Sequence, residues 1–141
     1  MSALVRYFLS KGDRVAGYDL TPSPLTKALE EEGAFVHYED NPALIPADFR
    51  SLDTLVIYTP AVPKEHRELN FFRAQGNRVI KRAEILGGLT RRERGLCVAG
   101  THGKTTTSTL LAHLMRSSHL DCHAFLGGIS NNYGTNCFIS D

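Results

Sequence analysis

Seven consecutive residues, Gly100, Thr101, His102, Gly103, Lys104, Thr105 and Thr106, have the types and spacing to do chemistry, and they sit between a β-rich run ending at Ala99 and a segment with a helical apolar pattern. A glycine-rich turn in that setting lets backbone N–H groups close around a phosphate, and the helix N-terminus adds about half a positive charge. Lys104 would reach the terminal phosphates of a nucleotide, and the Thr105 hydroxyl would ligate Mg2+. The general phosphate-loop pattern has its first glycine at the position of Val98, so this is a variant loop in which Gly100 does the turning. The plainer alternative is a strand-to-helix turn that is merely rich in Gly and Thr. Lys104 after Gly103 in the right structural setting favours nucleotide binding.

Such a loop has to be held by a sheet and its helices. Short β-rich runs alternate with helical segments along the chain, the pattern of a parallel sheet covered by helices. Residues 14–18 read as a strand, followed by Ser23 and Pro24 as N-cap and first helical residue, and by Leu25, Ala28 and Leu29 on one face up to Gly33. Residues 34–38 form a second strand. Residues 54–58 form a third, whose unbroken apolar character predicts burial on both faces. Leu69 and Phe72 mark a helix over 64–75 closed by Gly76, and 78–81 return as a short strand. Residues 84–93 read as a helix that Gly87 and Gly88 weaken, since each glycine costs about 1 kcal/mol relative to alanine. Residues 96–99 are a strand leading into the glycine loop. Beyond it Thr107, Leu110, Leu111 and Leu114 make one apolar stripe on a helix, and 122–126 are the last clear strand.

The chain starts on a helix, residues 3–9, with Leu4, Val5, Phe8 and Leu9 inward, where a doubly wound domain starts on a strand. It stops just after a new apolar run, Cys137-Phe138-Ile139. Both features read as a piece of a longer protein whose sheet lacks its first strand, and an exposed sheet edge of that kind invites pairing into a homodimer. Residues 91–95 are the candidate boundary between two units, 1–93 and 94–141.

Composition narrows the function classes. Hydrophobic residues make up 42% and charged residues 22% of the 141, the profile of a globular protein. The 16 basic and 15 acidic side chains nearly cancel, so there is no footprint for nucleic acid or a membrane surface. Apolar stretches are far below the roughly 18 residues of a membrane span, and the location expected is cytoplasmic. Cys97, Cys122 and Cys137 suit neither a disulfide framework nor a zinc site and read as small buried thiols. His37, His66, His113, His119 and His123 lack metal-ligand spacing and read as scattered surface or partly packed histidines.

Two further places are candidates for binding. Asp19 ends the first strand, at the spacing of a ribose-binding acid in a Rossmann-type unit, and an ordinary turn or helix-capping aspartate ahead of Thr21-Pro22 is an equal alternative. Thr59, Pro60 and Ala61, with Val62, follow a strand's carboxyl end, where ligands bind in open α/β sheets.

Gly100-Thr101-His102-Gly103-Lys104-Thr105-Thr106-Thr107 resembles the ATP loop of the Mur ligases. Met1-Ser2-Ala3-Leu4, Val15 to Asp19, Tyr58 to Val62, Lys81 to Glu84 and Gly127-Gly128-Ile129 to Asn136 are similar to further segments of that family, so the resemblance covers essentially the whole chain. It implies a Rossmann-like domain for the uridine diphosphate substrate over 1–93, followed over 94–141 by the start of an ATP-binding central domain. The implied activity is ATP-dependent ligation with Mg2+. The γ-phosphate of ATP passes to the carboxylate of UDP-N-acetylmuramate, and the amine of L-alanine attacks the acyl phosphate. Lys104 would hold the β and γ phosphates as the catalytic residue, Thr105 would ligate the metal, Gly100 to Thr106 would cradle the nucleotide, and Asn136 resembles a position facing the muramoyl group. His102 is assigned no proton transfer. The alternatives are a ligase using a tripeptide in place of alanine, or a non-catalytic nucleotide-binding remnant. This polypeptide alone is expected to be inactive, because the family's uridine diphosphate glycine loop, its acidic metal-binding segment and its third domain have no counterpart here.

Overall fold

The computed structural model describes residues 1–120 and 122–140. In chain order the elements are α1 (Ser2–Ser10), β1 (Ala16–Tyr18), α2 (Pro24–Glu31), β2 (Phe35–His37), β3 (Val56–Tyr58), α3 (Arg67–Gln75), β4 (Val79–Lys81), α4 (Arg82–Arg92), α5 (Lys104–Ser117), β5 (Ala124–Ser130) and β6 (Thr135–Phe138), with two 3-10 turns between β2 and β3. They fall into two compact units. One is Ala16–Lys27 with Phe35–Leu96; the other is Met1–Val15, Ala28–Ala34 and the described part of Cys97–Asp141.

The first unit is built from parallel strand pairs. β1 runs parallel to β2, with Tyr18 opposite His37, and β3 runs parallel to β4, with Tyr58 opposite Lys81. Each pair is joined through a helix, α2 or α3, as parallel strands require. Ile45, Leu69 and Phe72 are its buried apolar side chains. Asn77 is buried with them, and its amide donates to the carbonyls of Ser51 at 2.7 Å and Thr54 at 3.2 Å, tying the turn before β3 to the residue that leads into β4. The expected third strand forms, but all three of its residues are only half-buried. Helix α4 runs unbroken through Gly87 and Gly88, where the sequence leaves room for an interruption. Two glycines cost a helix less than the loss of its middle hydrogen bonds.

In the second unit β5 and β6 form an antiparallel hairpin, where the sequence pattern predicts continuation of a parallel sheet. A short turn permits only the antiparallel arrangement: Tyr133 and Gly134 both donate N–H bonds to the carbonyl of Ser130. The pairs Phe125 with Cys137 and Ser130 with Thr135 leave Leu126, Gly127, Gly128 and Ile129 facing Asn136 alone, a pronounced bulge. Ala112 of α5, Leu126 and Phe138 make the core, flanked by Ala124 and Tyr133. Helix α1 packs on the same hairpin, with the Tyr7 ring 5.7 Å from Phe125 and 5.3 Å from His123.

Three expectations change. The strand expected at residues 96–99 does not form: these residues carry no regular secondary structure, and no described strand pairs with them. Leu96 and Cys97 are exposed as a result, so Cys97 is not a buried thiol. The stripe of α5 also turns away from the core: Leu110 and Leu114 are 55% and 59% exposed, and Ala112 is the buried residue of the helix.

Candidate active site

The glycine loop comes together at the N-terminus of α5. Gly103 is the N-cap residue with φ 72°, a left-handed conformation that costs glycine nothing and strains any residue with a Cβ. Among the described residues no side chain caps this helix, so its first-turn N–H groups lack the usual Ser or Asp partner. Lys104 folds back over the loop, its Nζ donating to the carbonyls of Gly100 at 2.5 Å and Thr101 at 3.0 Å. Gly100, Thr101, His102, Gly103, Lys104, Thr105 and Thr106 are all exposed. An exposed helix N-terminus with an ammonium tethered beside it can take a polyanion, with Lys104 exchanging two carbonyls for phosphate oxygens.

Thr105 lies against the bulge of β5. A Cβ placed on Gly127 would stand 2.8 Å from Thr105 Oγ1, and one on Gly128 would stand 3.4 Å from Thr105 Cγ2. The two glycines thus clear the space in which the first turn of α5 rests on the strand.

Asn136 sits across that bulge and is held on both sides. Its Nδ2 donates to Ser2 Oγ at 2.7 Å, and its Oδ1 accepts from Nη1 of Arg6 at 3.0 Å. Arg6 is fixed by Glu32 through Nε at 2.8 Å and Nη2 at 2.8 Å. Hydrogen bonding to Glu32, more than burial opposes, raises the guanidinium pKa above its already high value, so its charge is permanent.

The other two sequence candidates lie in the first unit. Asp19 is exposed, and its Oδ1 accepts the N–H of Thr21 at 3.3 Å, an aspartate turn, while its own N–H bonds to the His37 carbonyl. Thr59, Pro60 and Ala61 form the turn after β3, closed by an N–H bond from Val62 to the Thr59 carbonyl. Asp19 and Thr59 therefore both follow the carboxyl ends of parallel strands.

Sequence reasoning missed a polar cluster beside them. Glu68 is buried and accepts from the Asn41 N–H at 3.1 Å, with His37 Nε2 2.6 Å away. Asp40 accepts the N–H groups of Arg67 at 2.9 Å and Glu68 at 3.0 Å, capping α3 from a distant loop. His66 Nδ1 lies 3.2 Å from Asp40 Oδ1 and 3.3 Å from the Leu69 nitrogen, two contacts that need opposite protonation of that atom. The Tyr18 ring packs edge-on against His66 at 4.7 Å. His37 and His66, read from sequence as scattered, are thus built into the end of the β1–β2 pair, and only the spacing of Asp40 from α3 in three dimensions reveals it. Among the described residues no group of His, Cys, Asp and Glu is arranged to hold a metal ion. No described helix is long and apolar enough to cross a membrane.

The profile of the Mur ligase family, catalytic domain, matches residues 1–94. The chain belongs to the Mur ligase family. Among Mur ligases it is 64% identical to a UDP-N-acetylmuramate–L-alanine ligase of Parabacteroides distasonis and 63% identical to one of Porphyromonas gingivalis, over its whole length in both cases. It spans about a third of these relatives, 31% of their length. The crystal structure of the UDP-N-acetylmuramate–alanine ligase of Thermotoga maritima superposes with a TM-score of 0.87 at 27% identity, over 99% of this chain and 32% of that one. The UDP-N-acetylmuramate:L-alanyl-γ-D-glutamyl-meso-diaminopimelate ligase of Neisseria meningitides shares the fold, with a TM-score of 0.84 at 24% identity over 97% of this chain and 42% of that one. The Mur ligase profile match ends at residue 94, before the glycine loop.

Proposed function

We propose that this chain is the nucleotide- and substrate-holding part of an ATP-dependent ligase that joins L-alanine to UDP-N-acetylmuramate in peptidoglycan synthesis. The observation that carries the reading is the uncapped N-terminus of α5 behind left-handed Gly103, with Lys104 poised on the loop carbonyls. Identity of 64% to an alanine ligase over the whole chain supports the choice of substrates. A cytoplasmic location accords with substrates that are soluble nucleotides and amino acids.

The loop residues fit ATP with Mg2+. Backbone N–H groups from Gly100 to Thr106 would hold the phosphates, Lys104 would neutralise charge on the β and γ groups, and Thr105 Oγ1 would ligate the cation. Bound Mg-ATP would supply the phosphoryl group that activates the muramoyl carboxylate. The protein's own task in such a transfer is positioning and charge neutralisation. Asn136 would hold the muramoyl portion from the bulge, and Asp19 with Thr59, Pro60 and Ala61 would contact the uridine diphosphate portion at the strand ends. In this scheme residues 1–93 serve the uridine nucleotide and 94–141 the ATP.

Calorimetric titration of Mg-ATP tests the loop: wild type is expected to bind, and Lys104→Ala to lose at least tenfold in affinity, about 1.4 kcal/mol. Equal binding by the variant would remove Lys104 from the site. Assay of the full-length polypeptide with L-alanine and with a tripeptide as rival amines decides the acceptor, and preference for the tripeptide would overturn the alanine assignment. Pairing of two copies through the free edge of β1 is a further proposal, and a monomer by light scattering at high concentration would refute it.

A further inference from the structure

We infer that Arg6 is a positioning residue for the muramoyl substrate, acting through Asn136; the inference rests on the ligase reading above. Arginine has only donors, so the atom of Asn136 that meets Nη1 at 3.0 Å must be the amide oxygen. The amide nitrogen is then committed to Ser2 Oγ, 2.7 Å away in the first residue of α1. The side-chain amide is thereby locked against rotation by half a turn. One N–H and one lone pair of Asn136 remain for a ligand, in a fixed order that a free asparagine would not keep.

Arg6 can do this because Glu32 occupies its other side. Nε and Nη2 grip the Glu32 carboxylate at 2.8 Å each, a two-pronged pairing that leaves Nη1 aimed at β6. Nη1 also lies 3.4 Å from Thr135 Oγ1, and that hydroxyl accepts the N–H of Cys137 at 3.3 Å. Arg6 thus spans α1, the end of α2 and β6, and its side chain is only 17% exposed. Its target stands alone opposite the bulge of β5, whose Gly127 and Gly128 carry Thr105 of the ATP loop. One strand pair therefore bears both a residue proposed for the muramoyl group and the contact surface of a residue proposed for the metal. An orienting cation behind Asn136 would fix the first with respect to the second.

The test is steady-state kinetics of the full-length ligase that contains this chain. Arg6→Ala is expected to raise KM for UDP-N-acetylmuramate about tenfold and leave KM for ATP within about twofold, the signature of a lost binding contact. Asn136→Ala should do the same, and the double variant should be no worse than Asn136→Ala alone, because the two act as one unit. Arg6→Lys keeps a charge for Glu32 but lacks the fork, and should fall between wild type and Arg6→Ala. If Arg6→Ala does not fold, Glu32→Gln replaces it and should raise the same KM about threefold by loosening Arg6. Additive effects of Arg6→Ala and Asn136→Ala, or an equal rise in both KM values, would overturn the inference. A wild type that is active with other substrates but not with UDP-N-acetylmuramate would instead overturn the ligase reading beneath it.

Discussion

His37 Nε2 lies 2.6 Å from Glu68 Oε1, and the two side chains are only 10% and 8% exposed. The contact joins the end of β2 to the first turn of α3, and Glu68 also takes the N–H of Asn41. Replacing Glu68 by alanine leaves the part-buried Asn41 N–H and His37 Nε2 without this partner. Such groups cost about 1–3 kcal/mol each when left unpaired. Urea denaturation should therefore register a loss of about 2 kcal/mol or more for Glu68→Ala, and a loss under about 0.5 kcal/mol would mean water replaces the carboxylate at no cost.

Asp40 makes a pH prediction. Burial opposes its ionisation, but the N–H groups of Arg67 and Glu68, with the charges of His66 and Arg67, outweigh it and hold the carboxyl below its ordinary value of 3.8. A depressed pKa in the folded state gives stability that is fully present above the unfolded value and is lost as pH falls through the folded one. The wild type should lose this contribution only below about pH 4, while Asp40→Asn should be less stable near neutrality and show a flatter acid limb. Thermal melts across pH 2.5 to 7 check it; parallel curves for the two proteins would count against the cap.

Gly127 and Gly88 should respond oppositely to alanine. At Gly127 the new Cβ would meet Thr105 Oγ1 at 2.8 Å, too close for any real contact, so Thr105 must move. Mg-ATP affinity should fall about tenfold with Gly127→Ala if Thr105 serves the metal. At Gly88, inside α4, nothing lies within 4 Å of the added Cβ. Gly88→Ala should stabilise by about 0.5–1 kcal/mol through helix propensity and a less flexible unfolded chain. Unchanged melting for Gly88→Ala would show that α4 frays.

Leucines of similar chemistry should differ by position. Leu126 is 4% exposed in the core with Ala112 and Phe138, and Leu126→Ala should cost about 2–5 kcal/mol. Leu110 and Leu114 point outward, and serine at both should change the stability of this 141-residue chain by no more than about 0.5 kcal/mol each. A large loss at Leu110 or Leu114 in denaturation would reveal a partner surface covering that face.

The sequence by itself determined the elements whose causes are local. Gly103, Lys104 and Thr105 at a helix start, Pro24 at the head of α2 and Gly76 beyond α3 act through nearest-neighbour sterics and hydrogen bonds, and all appear where the letters put them. The parallel arrangement of the strands was equally legible, since a strand, a helix and a strand have one economical way to pack, and it is realised in the pairs β1 with β2 and β3 with β4. Tertiary structure alone decided the rest, because each remaining feature depends on partners far away in the chain. Residues 96–99 have strand character but no neighbour to bond, and the stripe of α5 is helical while its burial depends on which face meets β5. Asn136 could be named from its resemblance, yet Arg6 could not: the two are 130 positions apart, and only folding brings a guanidinium from α1 and a carboxylate from the end of α2 onto one amide.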